Sequence, residues 1–252
     1  MKQIASLFLL PDCNAACVFC AAERGFSTMS FAQAEGLLDQ LARGPIRNVV
    51  LGGGEPFLWP HDVLRLAASA KARGFLVQVC TNGLVVPDDF AEASAVDRYI
   101  LPLEAVDAVT HDRLRGSGPG HHARMLAHLE RLTAARRSFT LSTVVTAINV
   151  ERLAALARSV DALALAGAPL HAWHLYRFLP VGRGGARSGD RLAITPERFL
   201  AAWSTARAAA PHARIYRRDD MLASSSVEFF WAEGDAIRIG SEAWNRSVAD
   251  AG

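Results

Sequence analysis

Apolar residues along this chain switch repeatedly between two periodicities, and the switches divide the sequence into strand and helix units. Ile4 to Leu10 is a near-continuous apolar run, the pattern of a strand buried on both faces in a parallel sheet. Ser30-Phe31-Ala32-Gln33 then has the form of a capping box. Phe31, Ala34, Leu38 and Leu41 fall on one face of the helix it opens, until Gly44-Pro45 stops it. A strand is predicted over Asn48 to Leu51, a helix over Asp62 to Arg73 ended by Gly74, and a strand over Phe75 to Cys80 closed by the turn signal Thr81-Asn82-Gly83. Tyr99 to Leu103 reads as the fourth strand, with helical pattern from Val106 and again across Arg124 to Arg136. Phe139 to Val145 is a fifth strand, and Asn149 is expected to cap a helix carrying Leu153, Leu156 and Val160. Trp173 to Phe178 is the sixth strand, and Gly182 to Gly189 reads as glycine-rich loop. Thr195-Pro196-Glu197 opens a further helix, with proline in its first turn. Short strands from Ile215 to Ile239 surround a hairpin turn at Glu233-Gly234-Asp235.

Alternating strand and helix units imply a parallel sheet of the α/β class, and six of them fall short of the eight that close a full barrel. With 252 residues, 51% of them hydrophobic, the chain can bury a substantial core, and one domain is the expectation. The apolar run near the N-terminus breaks at Pro11, and no unbroken apolar stretch reaches the length of a membrane span. No membrane association is expected. The net charge of +2 is small but unevenly placed: His171 to Arg218 holds nine arginines, no lysine and only Asp190 and Glu197 as acids. Most of these arginines read as a solvated surface rather than a nucleic-acid site. Arg177 and Arg183, near the end of the sixth strand, are excepted as candidates for holding a carboxylate or phosphate, with Asp219 and Asp220 for an amine or hydroxyls.

Three of the four cysteines form a C-x3-C-x2-C run, Cys13, Cys17 and Cys20, directly after the first strand. They are too close together to staple the chain efficiently as disulfides. Thiolates are the preferred ligands of iron–sulfur clusters, and a [4Fe–4S] cube with three cysteine ligands keeps one iron open to a small molecule. A zinc knuckle or a redox thiol pair is the alternative, but zinc usually needs a fourth Cys or His in a pair at its own spacing, and no such pair follows. Free thiols in such a cluster suit a reducing compartment, so a cytoplasmic protein is expected. The second motif, Gly52-Gly53-Gly54-Glu55-Pro56-Phe57, directly follows the second strand. Its glycines allow close backbone approach to a ligand, and its carboxylate can accept from an ammonium group.

Together these motifs resemble the radical S-adenosylmethionine (SAM) superfamily. The resemblance implies a partial (β/α)6 TIM-type barrel over residues 1–180, with a short C-terminal extension, 181–252, packing on it in the same domain. It also implies that Cys13, Cys17 and Cys20 hold a [4Fe–4S] cluster whose open iron chelates SAM. An electron from the cluster then cleaves the sulfonium, and the 5′-deoxyadenosyl radical abstracts a substrate hydrogen. By the same resemblance Gly53, Gly54, Glu55 and Pro56 form the element that holds the methionine moiety, Phe19 packs near the adenine, and Asn82 faces the cofactor. Leu101-Pro102-Leu103-Glu104 followed by Arg115-Gly116 looks like the superfamily's strand-four stretch, in which Arg115 meets the SAM carboxylate. Pro102 stands where a serine commonly contacts the ribose, and Glu104 is the candidate to replace it.

A weaker likeness to the viperins, which are nucleotide dehydratases, runs over most of the chain through Asn82-Gly83, Arg115-Gly116, Phe139 to Asn149, Trp173 and Met221. The viperin strand-five lysine and asparagine correspond to Thr140 and Ser142, and the late tyrosine to Ser225, which argues against triphosphate dehydration. Strand alternation with that likeness puts Thr140, Ser142 and Val144 on the inner face. Cys80, Thr140, Ser142, Arg177 and Ser225 are thus the substrate-side candidates. The function expected is hydrogen abstraction from a small-molecule or peptide substrate in natural-product or cofactor biosynthesis. A flavodoxin- or ferredoxin-type electron donor serves as partner. A nucleotide dehydratase and a noncatalytic iron–sulfur accessory protein are the alternatives.

Overall fold

In a computed structural model of the chain, residues 2–240 are described; the end of the expected C-terminal extension, residues 241–252, lies outside them. Among the described residues, nine strands and seven α-helices follow in chain order. They are β1 (Ile4–Phe8), α1 (Phe31–Ala42), β2 (Asn48–Gly52), α2 (Val63–Ala72), β3 (Leu76–Cys80), β4 (Arg98–Pro102), α3 (Ala108–Arg115), α4 (His121–Ala134), β5 (Ser138–Val145), α5 (Leu153–Leu165), β6 (Leu170–Arg177), α6 (Gly182–Leu192), α7 (Pro196–Ala209), β7 (Ile215–Arg218), β8 (Val227–Glu233) and β9 (Ala236–Ile239). The α/β class and the six strands read from the sequence are present, and β1 to β3, like β5 to β7, pair consecutively in parallel.

The chain divides into two compact units. Of the described residues, the first comprises 2–14, 22–99 and 222–240, and the second 15–21 and 100–221. In the first unit β1 runs between β2 and β8, parallel to both, with β3 beyond β2 and the antiparallel β9 beyond β8. Its core is Leu7, Val49, Leu51, Val77 and Val79 on the strands and Ala34 and Leu38 on α1, all fully buried. Each such leucine or valine contributes roughly 1.5–3 kcal/mol by leaving water. Helix α1 opens with the predicted capping box: Ser30 Oγ accepts from the Gln33 amide, and Gln33 Oε1 accepts from the Ser30 amide. After β3 the chain crosses to β4 through turns rather than a helix, where Pro87 and a run of aspartates break helical pattern.

In the second unit β5, β6 and β7 lie side by side and parallel. Trp173 and Phe139 are fully buried there, and Trp173 Nε1 donates to Thr143 Oγ1 at 2.9 Å. Two sequence expectations are corrected. Gly182 to Gly189 is not loop: it is the first two turns of α6, whose glycines avoid a clash that side chains would cause, as shown below. Asn149 does not cap its helix with its side chain. Its Nδ2 donates to the carbonyls of Glu104 (2.9 Å) and Val144 (3.0 Å), and its Oδ1 accepts from the Thr146 amide, so it ties the strand ends instead.

Candidate active site

The cysteine loop begins in the first unit with Cys13 and Asn14, passes through the second as residues 15–21, and returns. In the first unit the glycine motif lies directly against the chain leading to Cys13. The amides of Gly54 and Glu55 donate to the carbonyls of Leu10 (2.7 Å) and Asp12 (2.9 Å). A Cβ at Gly54 would overlap the Asp12 carbonyl, so only glycine permits this approach. Glu55 is fully buried. Its Oε1 accepts from Thr81 Oγ1 (2.7 Å) and the Phe57 amide (3.2 Å), and its Oε2 from the Asn82 amide (2.6 Å). Pro56 follows at the first position of a 3-10 turn, Pro56–Leu58, where its missing N–H costs nothing. The turn after β3 is thereby locked to the motif after β2, and Asn82 Nδ2 points at Cys13 Sγ (3.4 Å) and Asn14 Oδ1 (2.8 Å).

In the second unit Gly116 ends α3 in the left-handed conformation, φ 57°, with its open face against the Ala16 carbonyl. This close approach explains the glycine of the Arg-Gly pair and sets Arg115 beside the loop, with its guanidinium 5.7 Å from the centre of the Phe19 ring. Phe19 packs with Leu114, Phe178 and Leu192, and Cys17 and Val144 border the same cluster. Glu104 is buried and held at every polar atom. Its amide donates to His111 Nδ1 (3.1 Å), its carbonyl accepts from Asn149, its Oε2 accepts from the Val144 amide (2.9 Å), and its Oε1 faces Arg115 Nη1 at 3.4 Å. Burial pushes its carboxyl up to about 7, with Arg115 and the Val144 amide opposing that rise only in part. His111 is pushed down to about 2 by burial and by neighbouring His121 and Arg115, so it is neutral. Because a backbone N–H occupies its Nδ1, its Nε2 carries the proton and donates to His121 Nδ1 at 2.7 Å.

The family model described as the radical SAM superfamily matches residues 7–162. This chain belongs to the radical SAM superfamily. Among curated relatives it is 32% identical over 189 residues to the AdoMet-dependent heme synthase of Methanosarcina barkeri, covering 70% of this chain and 50% of that protein. It is 34% identical over 184 residues to the mycofactocin maturase MftC of Mycolicibacterium smegmatis, covering 68% of this chain and 43% of that one. The chain thus spans about half the length of the curated relatives it matches. Among solved structures, Streptococcus suis SuiB bound to S-adenosylmethionine superposes with a TM-score of 0.74 at 15% identity, over 96% of this chain and 60% of SuiB, a likeness of fold.

Membership of the radical SAM superfamily implies an iron–sulfur cluster and SAM, and the residues present fit them. Cys13, Cys17 and Cys20 are unbridged and half-buried, and N–H donors are aimed at the sulfurs of Cys13 and Cys20, as suits thiolates. Gly53, Gly54, Glu55, Pro56 and Asn82 gather in the first unit, and Phe19, Glu104 and Arg115 in the second.

The substrate-side candidates divide between the two units, Cys80 and Ser225 in the first and Thr140, Ser142 and Arg177 in the second. Thr140 is buried, only 2% exposed, and lines no accessible surface. Arg177 shares its strand face with Trp173, opposite to Ser142, and its Nε donates to the Asp219 carbonyl at an exposed edge. Ser225 lies just before β8, next to Ser226, whose carbonyl accepts from the Gln3 and Ile4 amides at the end of β1 opposite to the one that leads to Cys13. Cys80 is exposed, at the end of β3 beside Gly52. Ser142 is half-exposed and shares a face with His174 and Tyr216, as Val144 does with Tyr176 and Arg218. Sequence reading assigned no role to His111 or Thr143, and gave Thr81 only a place in a turn. Only the position of each beside a motif or strand end could have marked it.

Proposed function

We propose that this chain carries one [4Fe–4S] cluster on Cys13, Cys17 and Cys20 and uses SAM to remove a hydrogen atom from a small-molecule or peptide substrate. When bound, the cluster and SAM supply a one-electron cleavage of the SAM sulfonium, with the electron arriving from a flavodoxin- or ferredoxin-type donor. The observation that carries the reading is the half-buried, unbridged cysteine triplet with N–H donors on the sulfurs of Cys13 and Cys20. Glu55 acts by holding Thr81, Asn82 and the glycine motif in place for the SAM amino group, its oxygens being already engaged by those donors. Arg115 suits the SAM carboxylate, and Glu104, at the end of β4, suits the ribose hydroxyls.

The substrate side is the face carrying Ser142, His174, Tyr176 and Tyr216. These groups both donate and accept: His174 Nδ1 lies 3.3 Å from the Tyr176 hydroxyl, and the His174 ring meets Tyr216 edge-on at 5.2 Å. Such a face favours a neutral or singly anionic substrate, with Arg218 the cation nearest in register. That MftC and the heme synthase are named as biosynthetic enzymes, and that SuiB is described bound to the precursor peptide SuiA, supports a substrate of this kind.

The test is anaerobic reconstitution with iron and sulfide, then reduction in the presence of SAM. About four irons per chain and slow release of 5′-deoxyadenosine are expected. Alanine at Cys13, Cys17 or Cys20 should abolish both, whereas Cys80→Ala should spare both. A tightly bound zinc in place of iron, or a cluster that leaves SAM intact, would overturn the proposal.

A further inference from the structure

Helix α6 grips the cysteine loop at one residue. The amides of Gly184 and Gly185 both donate to the Cys20 carbonyl, at 3.0 and 3.1 Å. A Cβ at Gly182 would overlap the Ala21 backbone, and one at Gly184 the Cys17 carbonyl, so the helix rests on the loop backbone to backbone. Between these glycines stands Arg183, whose Nε donates to Cys20 Sγ at 3.3 Å. A guanidinium on a solvated surface would not need three glycines to seat it. Here the glycines bring a permanently charged group into contact with a sulfur that has another use.

We infer that Arg183 raises the reduction potential of the cluster by presenting a fixed positive charge and an N–H donor to the Cys20 sulfur. The inference rests on the proposal that Cys20 is a cluster ligand. Reduction adds one electron to the cluster, with no bond made or broken at the cysteine and no proton required. The added negative charge is shared with the ligand sulfurs, where a cation and a hydrogen bond stabilise the reduced form more than the oxidised one. The guanidinium stays charged across the working pH range, so the effect does not titrate. At Cys13 the corresponding donor is the neutral amide of Asn82 at 3.4 Å, which makes Arg183 the stronger of the two. Arg183 is therefore a positioning residue for electron transfer rather than a substrate anion site.

The test uses the full chain, reconstituted anaerobically without SAM or substrate, as wild type, Arg183→Met and Arg183→Lys. Iron and sulfide are assayed, and the midpoint potential is read by electron paramagnetic resonance during titration with dithionite. With equal cluster content, Arg183→Met should lower the ratio of reduced to oxidised cluster about tenfold at a given potential, about 59 mV for one electron. Arg183→Lys, which keeps the charge, should recover most of that loss. A methionine variant with the wild-type potential would overturn the inference, as would a lysine variant as low as the methionine one. If wild type holds a cluster and neither variant does, Arg183 shapes the loop and the inference fails. If wild type itself assembles no cluster, the functional proposal fails instead.

Discussion

Two buried glutamates stand at corresponding places in the two units, Glu55 after β2 and Glu104 after β4, and they are held by opposite means. Glu55 receives three neutral donors, two of them backbone amides, and its work is to lock two turns together. Glu104 receives one amide and one loosely placed cation, and burial leaves its carboxyl near neutrality at about 7. The same side chain serves as fixed scaffolding in one unit and as a group poised between charge states in the other. Burial alone does not decide the role of a carboxylate: the number and geometry of its donors do.

Backbone contact should outweigh both carboxylates. Gly54→Ala forces a methyl into the Asp12 carbonyl and is expected to cost about 4 kcal/mol or more, read from urea unfolding of the reduced apoprotein. Gly74→Ala, at φ 86° with nothing near its Cβ, should cost only about 1 kcal/mol. Equal losses at both would show that the glycine motif is not seated as described.

The two glutamates separate next by pH. Because burial raises the Glu104 carboxyl above its ordinary value, the folded chain holds that proton after the unfolded chain has lost it. This contribution to stability is complete below about pH 4.5 and is lost as pH rises through about 7, a fall of about 3 kcal/mol. Glu104→Gln should flatten that part of the stability profile, and Arg115→Met should move the fall to higher pH by removing the cation. A profile that Glu104→Gln leaves unchanged would mean that the carboxyl titrates normally.

The smallest effect is expected at the other glutamate. In Glu55→Gln the new amide must face either the Asn82 or the Phe57 N–H, so one buried backbone donor is opposed whichever way it turns. A loss of about 2 kcal/mol should follow in the same unfolding assay. No loss at all would mean that Glu55 does not lock the two turns together, and would erase the contrast between the two residues.

Much of this was legible in the sequence because it rests on local rules. The capping box at Ser30, the turn after Cys80, the cysteine spacing and the glycine run each carry their meaning within a few residues. What escaped prediction depends on partners distant in the chain. Gly182 to Gly189 has loop composition, yet folds as helix because its missing side chains let it lie on residues 17–21. Asn149 has the look of a cap, and is instead recruited by the carbonyl of Glu104. Thr140 and Ser142 share a strand face by alternation, but only Ser142 reaches an accessible surface, since depth along a strand is set by what packs over each end. Cys80 closes β3, and its exposure follows from the neighbouring Gly52, which offers no side chain to cover it.

The place of β1 has a consequence for how the protein is made. This strand, which leads into the cysteine loop, has β2 on one side and β8 on the other, and β8 is encoded far downstream of both. While the ribosome is still translating, β1 can gain its first neighbour early, but its second edge stays open until Val227–Glu233 has emerged. Closure of so long a chain segment is slow, and an apolar strand left unpaired meanwhile is prone to pair with the wrong partner. The cysteine loop thus gains the full support of the sheet only once β8 has formed, however early β1 and β2 have paired.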